Sequence, residues 1–210
     1  MSTTLDLFAS SEQESEHLKN VQHIVLPQAS LIYTPTLFDQ KTSDHYFQRL
    51  LDEVDWRQEK ITLYGKTHPV PRLSAWYGDK NYAYSGVHAS AKSWIEPLLQ
   101  IKETVESHCM AKFNSVLVNL YRDGQDSVAW HSDDEPELGE DPEIASISFG
   151  EIRTFQLRLR DNHAEKYSLK LGHGSCFFMS GKTQSTWHHQ IPKECAVVNS
   201  RINLTFRMIK

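Results

Sequence analysis

The sequence predicts an α+β protein, mainly β: a double-stranded β-helix (jelly roll) core braced by helices near its N-terminus. Three observations predict it. From Asn114 onward apolar residues recur with a period of two, in about eight short runs separated by turn residues. Ahead of them, two segments carry apolar residues at helical spacing. The length of 210 residues suits one domain rather than several.

Taken in order, residues 1–22 are rich in Ser, Glu, Gln and Thr and read as a flexible tail. One apolar island, Leu5-Asp6-Leu7-Phe8, interrupts it. The domain, residues 23–210, is expected to start its folded part near Ile24. Ser43 is expected to cap a helix running to about Val54, with Tyr46, Phe47, Leu50, Leu51 and Val54 on its buried side. Ile61–Leu63 and Pro69–Trp76 read as extended segments joined through Gly65, part of a hairpin region at about 60–90. A second helix is expected from Trp94 to Cys109, with Pro97 in its first turn, where a missing N–H matters least. The strands follow. Val116, Val118 and Leu120 alternate with Leu117, Asn119 and Tyr121, and Phe155, Leu157 and Leu159 alternate with polar residues. Ile144–Phe149, Tyr167–Leu171, Ser175–Ser180, Thr186–Ile191 and Ala196–Asn199 add five, and Ile202, Leu204, Phe206 and Met208 alternate in the last.

Composition narrows the function. A net charge of −5 and a pI near 6.1 exclude a general basic coat, so contact with a polyanion would need a local patch. Cys109, Cys176 and Cys195 form no CxxC pair and read as reduced thiols. No apolar run approaches the roughly 18 residues of a membrane span, and the first residues do not resemble a signal peptide, which predicts a cytoplasmic protein.

The chemistry lies in a spaced set: His131-Ser132-Asp133, then His189, then Arg201 and Arg207. Two imidazoles and a carboxylate can hold one face of a non-haem iron and leave other positions open. His-x-acid alone is weak, since composition predicts roughly 1.4 matches by chance. Two occur. In an extended backbone His131 and Asp133 share a face, whereas His163-Ala164-Glu165 sits in a polar loop. His188 and His189 are adjacent, so period two allows only one of them to point inward. On the last strand Arg201, Asn203, Thr205 and Arg207 share a face. Either that face meets solvent, or it is buried against an anion such as a dicarboxylate. The set as a whole points to Fe(II) with 2-oxoglutarate and O2 as cosubstrates.

The stretch from Tyr64 to Lys210 resembles the AlkB family of iron- and 2-oxoglutarate-dependent nucleic-acid dealkylases, most like the animal DNA-repair homologues two and three. The resemblance rests on Pro71-Arg72, Tyr77-Gly78-Asp79, Tyr82-Ala83-Tyr84-Ser85-Gly86, Asn119-Leu120-Tyr121, His131 to Glu135, Ala145 to Gly150, His173-Gly174-Ser175 and the RxNxTxR pattern from Arg201 to Arg207. It implies His189 as the third ligand, twelve residues before Arg201. It also implies that Asn119, Tyr121, Arg201, Asn203, Thr205 and Arg207 hold 2-oxoglutarate.

By the same resemblance, Tyr84 and His131 would sandwich an extruded base, with Tyr82, Asp134 and Glu135 at its edge and Arg72 lining the pocket. Carboxylates suit 1-methyladenine and 3-methylcytosine, which are cationic. Leu63-Tyr64-Gly65-Lys66 matches a hairpin that wedges duplex DNA open, with Tyr64 as the wedge. Lys60, Lys66, His68, Arg72 and Lys80 form a basic cluster near it. The implied function is oxidative demethylation of N-alkylated bases in DNA. The alternatives are an RNA demethylase or protein hydroxylase of the same superfamily, or a non-catalytic jelly-roll module with a structural metal. The Leu5, Leu7 and Phe8 island resembles a short sliding-clamp-binding motif, with Thr4 in place of the usual glutamine. A monomer acting at the nucleoid is expected.

Overall fold

The period-two alternation folds into two facing antiparallel sheets. The computed structural model describes residues 21–63, 65–79, 82–84, 87–89 and 91–210. The larger sheet orders its seven strands as β1 (Gln22–Leu26), β2 (Ala29–Thr34), β13 (Ser175–Ser180), β10 (Ile144–Gly150), β15 (Arg201–Arg207), β8 (Ser115–Tyr121) and β5 (Leu73–Gly78). The smaller sheet orders β12 (Lys166–Leu171), β11 (Arg153–Leu159), β14 (Trp187–Ile191) and β9 (Val128–His131). Two hairpins stand apart from both: β3 (Lys60–Leu63) with β4 (Lys66–Pro69), and β6 (Tyr82–Tyr84) with β7 (Val87–Ala89). This is the expected jelly roll.

Alternate residues of each strand enter different cores. Val116, Val118, Ile147, Ile202, Leu204 and Phe206 pack outward against helices α1 (Gln40–Glu53) and α2 (Glu96–Cys109), whose Leu50, Leu98, Ile101 and Val105 are fully buried. The other parity, with Leu31, Tyr33, Ile144, Phe177 and Met179, faces Phe155, Leu157, Trp187 and Ile191 of the smaller sheet. The helices therefore cover one face of the larger sheet and leave the inter-sheet space open at one end. Among the described residues no helix is long and apolar enough to cross a membrane.

Several boundaries differ from the sequence reading. Asp39, not Ser43, caps α1, its carboxylate accepting from the Thr42 N–H (2.7 Å). Ser43 is instead buried, donating to the Phe38 carbonyl (3.2 Å). The turn before β13 seats this helix start: Gly174 has φ +75°, its carbonyl accepts from Leu37 and Phe38, and a Cβ there would collide with both Phe38 and Ser43. The second helix begins at Glu96 rather than Trp94, still with Pro97 in its first turn. The segment Pro69–Trp76 is broken at residues 70–72, between β4 and β5. Thr186 ends a short helix, α3 (Thr183–Thr186), before β14 starts. Strand β1 takes in Gln22, and β1 and β2 escaped the reading altogether.

Ala196–Asn199 is not a strand. Glu194 holds that segment as a loop: its carboxylate accepts from Arg153 Nε (3.0 Å), the Thr154 N–H (3.0 Å) and hydroxyl, and Lys170 Nζ (3.0 Å). Burial pushes the Glu194 carboxyl up, but these donors outweigh it and bring it down to about 2. A depressed carboxyl stabilises the fold above its unfolded pKa of 4.5, and that stability is lost as pH falls through about 2. Glu194→Gln should therefore cost on the order of 2 kcal/mol at neutral pH. Urea denaturation at stepped pH should show the difference between wild type and variant shrinking steadily below pH 4.5.

Candidate functional site

At the open end of the inter-sheet space, β9 and β14 are neighbours, and their register sets His131 directly opposite His189. The two ring centroids are 4.2 Å apart. Asp133, two residues beyond His131, turns to the same side, and one ligand atom from each of the three lies within 4.8 Å of the others. Period two sends His188 to the outer face of the sheet, near His163. His189 is buried and stacks on Phe155 (5.2 Å between centroids, 20° between planes). The structure thus brings His131, Asp133 and His189 together, and it leaves His163 and Glu165 exposed in a loop after β11.

The electrostatics suit a cation. His131 Nδ1 sits 2.8 Å from the Ala129 carbonyl, so its Nε2 faces Asp133 (3.8 Å). Burial brings the His189 imidazole down to about 3 and also lowers that of His131. Burial alone would raise the Asp133 carboxyl, but Arg207 (Nη2 to Oδ1, 2.8 Å) and the two histidines bring it to about 2. Two neutral imidazoles and one carboxylate are the donor set of a facial Fe(II) site.

Strand β15 supplies the other half. Arg201, Asn203, Thr205 and Arg207 share the face toward the cavity, and all four are buried. The solvent-facing reading of this strand is therefore excluded. Tyr121 and Asn119 on β8 lie directly opposite Arg201 and Asn203. Asn203 is fixed by bonds to the Ser146 hydroxyl (2.8 Å) and the Ile147 carbonyl (3.0 Å), and Thr205 donates to its Oδ1 (3.1 Å). Arg72 also lines the cavity, donating to Asn119 Oδ1 (2.9 Å) and the Ser127 carbonyl (3.3 Å).

Two buried arginines flank the Tyr121 ring at similar distances, Arg153 at 5.4 Å and Arg201 at 5.3 Å. Arg153 is satisfied by the Glu194 carboxylate and three backbone carbonyls. Arg201 is not: it donates to the Ser148 hydroxyl (2.8 Å), while its Nε and Nη1 have no hydrogen-bond partner among the described residues. Burial draws the Arg201 guanidinium down to about 10. Around the cavity three guanidiniums, Arg72, Arg201 and Arg207, face the single carboxylate of Asp133. A buried cation with open donors is costly unless an anion meets it. A small dicarboxylate fits that need, so the residues present fit both an iron and 2-oxoglutarate.

Other expected residues lie elsewhere. Asp134 is exposed and pairs with Arg160 (2.9 Å), and Glu135 directly precedes the 3-10 turn Pro136–Leu138 without a side-chain capping bond; neither lines the cavity. Tyr82 and Tyr84 pair through their backbones with Ala89 and Val87 in the β6–β7 hairpin. Gly65 has φ +75° in the loop of the β3–β4 hairpin, on which Lys60, Lys66 and His68 are exposed. Tyr64, Lys80 and the Leu5, Leu7 and Phe8 island lie outside the described residues. Sequence reasoning missed Ser146, Ser148, Arg153 and Gln184. The two serines carried a signal, since they repeat at period two inside the otherwise apolar strand β10.

Residues 30–207 match the family described as the 2OG-Fe(II) oxygenase superfamily. The chain is 41% identical over 184 residues to alpha-ketoglutarate-dependent dioxygenase alkB homolog 3 of Rattus norvegicus, covering 83% of this chain and 62% of that protein. It is 38% identical over 200 residues to DNA oxidative demethylase ALKBH2 of Homo sapiens, covering 90% of this chain and 76% of that protein. The chain spans 62–64% of the length of the four alkB homolog 3 relatives it matches. The solved structure of OsALKBH1 superposes with a TM-score of 0.62 at 14% identity, covering 90% of this chain and 99% of that one, which establishes the shared fold.

Manganese(II) offers a redox-stable probe of the cluster. At about 100 times its Kd it should stabilise the wild type by about 2.7 kcal/mol. Thermal unfolding should show that rise in wild type and none in Asp133→Ala.

Proposed function

The chain belongs to the 2OG-Fe(II) oxygenase superfamily, among the AlkB homologues, and we propose that it is a DNA oxidative demethylase that removes methyl groups from 1-methyladenine and 3-methylcytosine. The observation that carries the chemistry is one cavity holding both the His131–Asp133–His189 cluster and the open donors of Arg201. The DNA substrate is inferred from the ALKBH2 relatives, which are DNA oxidative demethylases.

Iron(II) bound there, with 2-oxoglutarate and O2, would supply the oxidation of an N-methyl group, with succinate, carbon dioxide and formaldehyde as products. The protein supplies placement. His131, Asp133 and His189 would hold the metal. Arg207 keeps Asp133 ionised and, with Asn203 and Thr205, serves the cosubstrate end nearer the metal. Tyr121 and Arg201 take the distal carboxylate, with Asn119 beside them. Leu117, Phe155, Met179 and Ile191 line the cavity and limit water.

The base enters past the β6–β7 hairpin. Tyr84 and His131 sandwich it, Tyr82 meets its edge, and Arg72 borders the pocket while tied to Asn119. Asp134, which pairs with Arg160, and Glu135 follow the ligand Asp133 directly in sequence, and we assign them to the edge of a cationic lesion. Among the described residues the β3–β4 hairpin forms no ladder with either main sheet, and its turn at Gly65, flanked in sequence by Tyr64 and Lys66, suits a wedge into duplex DNA. The protein acts as a monomer at the nucleoid in the cytoplasm. Leu5, Leu7 and Phe8, which precede the domain in sequence, bind a sliding clamp, and the oxygenase domain takes in Gln22 of β1 as well as residues 23–210.

The decisive assay measures formaldehyde and succinate from matched methylated oligonucleotides: single-stranded DNA, duplex DNA and RNA, with and without 2-oxoglutarate. We expect release from methylated DNA that requires 2-oxoglutarate and disappears in Asp133→Ala, whose circular dichroism stays native. Release from RNA alone would replace the DNA reading with an RNA demethylase. For the tail, a peptide spanning the island should bind the clamp, and Leu7→Ala/Phe8→Ala should lose that binding; equal binding by both would sink the clamp assignment.

A further inference from the structure

The three members of the metal cluster are not held alike. His131 and His189 are paired in the β9–β14 ladder, and His189 also stacks on Phe155. Asp133 lies beyond the last residue of β9, so no strand partner orders its backbone. Its N–H instead donates to the side-chain Oε1 of Gln184 (3.0 Å). Gln184 is 1% exposed, in a helix too short to be rigid by itself. Tertiary bonds fix that helix: the Thr183 hydroxyl donates to the Ser180 carbonyl (2.6 Å) and accepts from the Ser30 N–H (3.1 Å).

The Gln184 amide also has a defined direction. Its Nε2 donates to Met179 Sδ (3.6 Å), an acceptor only, so the oxygen is the end left to face Asp133. A flipped amide would set donor against donor at Asp133 and oxygen against sulfur at Met179.

We propose that Gln184 is a positioning residue for the metal centre: as a substitute strand partner it fixes the Asp133 backbone, and so aims the Asp133 carboxylate at the ion held by His131 and His189. This rests on the reading of that cluster as a metal site. Groups that orient a ligand typically change metal affinity about 10- to 100-fold when removed.

The test is Mn(II) titration of the full chain by electron paramagnetic resonance in the presence of saturating 2-oxoglutarate, with apo-protein thermal unfolding in parallel. Gln184→Met keeps length and burial but offers no comparable acceptor. It should raise the Mn(II) Kd about tenfold or more, while the apo midpoint falls by only a few degrees. Gln184→Glu keeps an acceptor at the same reach and should bind Mn(II) within about threefold of wild type. If the Met variant does not fold, Gln184→Asn takes its place, since its amide falls one methylene short of Asp133; the same loss is expected. A Met or Asn variant that binds Mn(II) as wild type does, or a Glu variant as weak as Met, overturns the role of Gln184. A wild type that does not bind Mn(II) overturns the metal reading itself.

Discussion

Strand β15 is buried on both faces and still carries two guanidiniums; much of the site answers that constraint. Its apolar parity, Ile202, Leu204 and Phe206, is locked against the helices, so the strand cannot turn its charges to water. Arg207 is met by Asp133 at 2.8 Å, which places the carboxylate of the metal cluster and keeps it ionised. Arg201 has no carboxylate against it among the described residues; it meets the Ser148 hydroxyl and the Tyr121 side chain. The neighbouring strands give way accordingly. Ser146 and Ser148 interrupt an apolar strand where it passes Thr205 and Asn203, and Asn119 stands opposite Asn203 on the other side. The polar end of the inter-sheet space is a consequence of one strand that has nowhere else to put its charge.

Legibility in the sequence followed how local each cause was. Alternation is a local property, and it revealed the strands of the C-terminal half and the parity of β15. It also reduced His188 and His189 to one inward residue, though not to which one; the ladder with β9 decides that. Ala196–Asn199 has the composition of a strand, but Glu194 anchors the segment to Arg153, Thr154 and Lys170, residues far away in sequence. Ser43 is a good cap by type, yet Asp39 lies where the chain enters the helix, and the turn at Gly174 sets that entry. Gln184 gave no signal, because its partner is a backbone N–H 51 residues away and any polar residue in a short turn looks alike.

The two sheets divide the work. The smaller sheet contributes all three cluster residues, on β9, just after it and on β14, while the larger sheet contributes the guanidiniums and amides. The cavity lies between them and is lined by both. Asp133 and Arg207 join the halves: the same ion pair is part of the metal cluster and part of the anion cradle.

That junction has an electrostatic consequence. Three guanidiniums and one carboxylate line the cavity, an excess of positive charge. A dianion such as 2-oxoglutarate removes the excess. A divalent metal alone adds to it, and competes with Arg207 for Asp133. At effective dielectric constants near 20, like charges about 4 Å apart repel by about 4 kcal/mol, so this conflict is not small. Together the two guests cancel each other's charge and leave the pocket no more positive than before, while the dianion bonds to donors that otherwise have no acceptor. The arrangement therefore favours occupancy by both guests over occupancy by the metal alone. In an oxygen-activating centre that bias is useful, because a metal held without its cosubstrate has no productive reaction to perform.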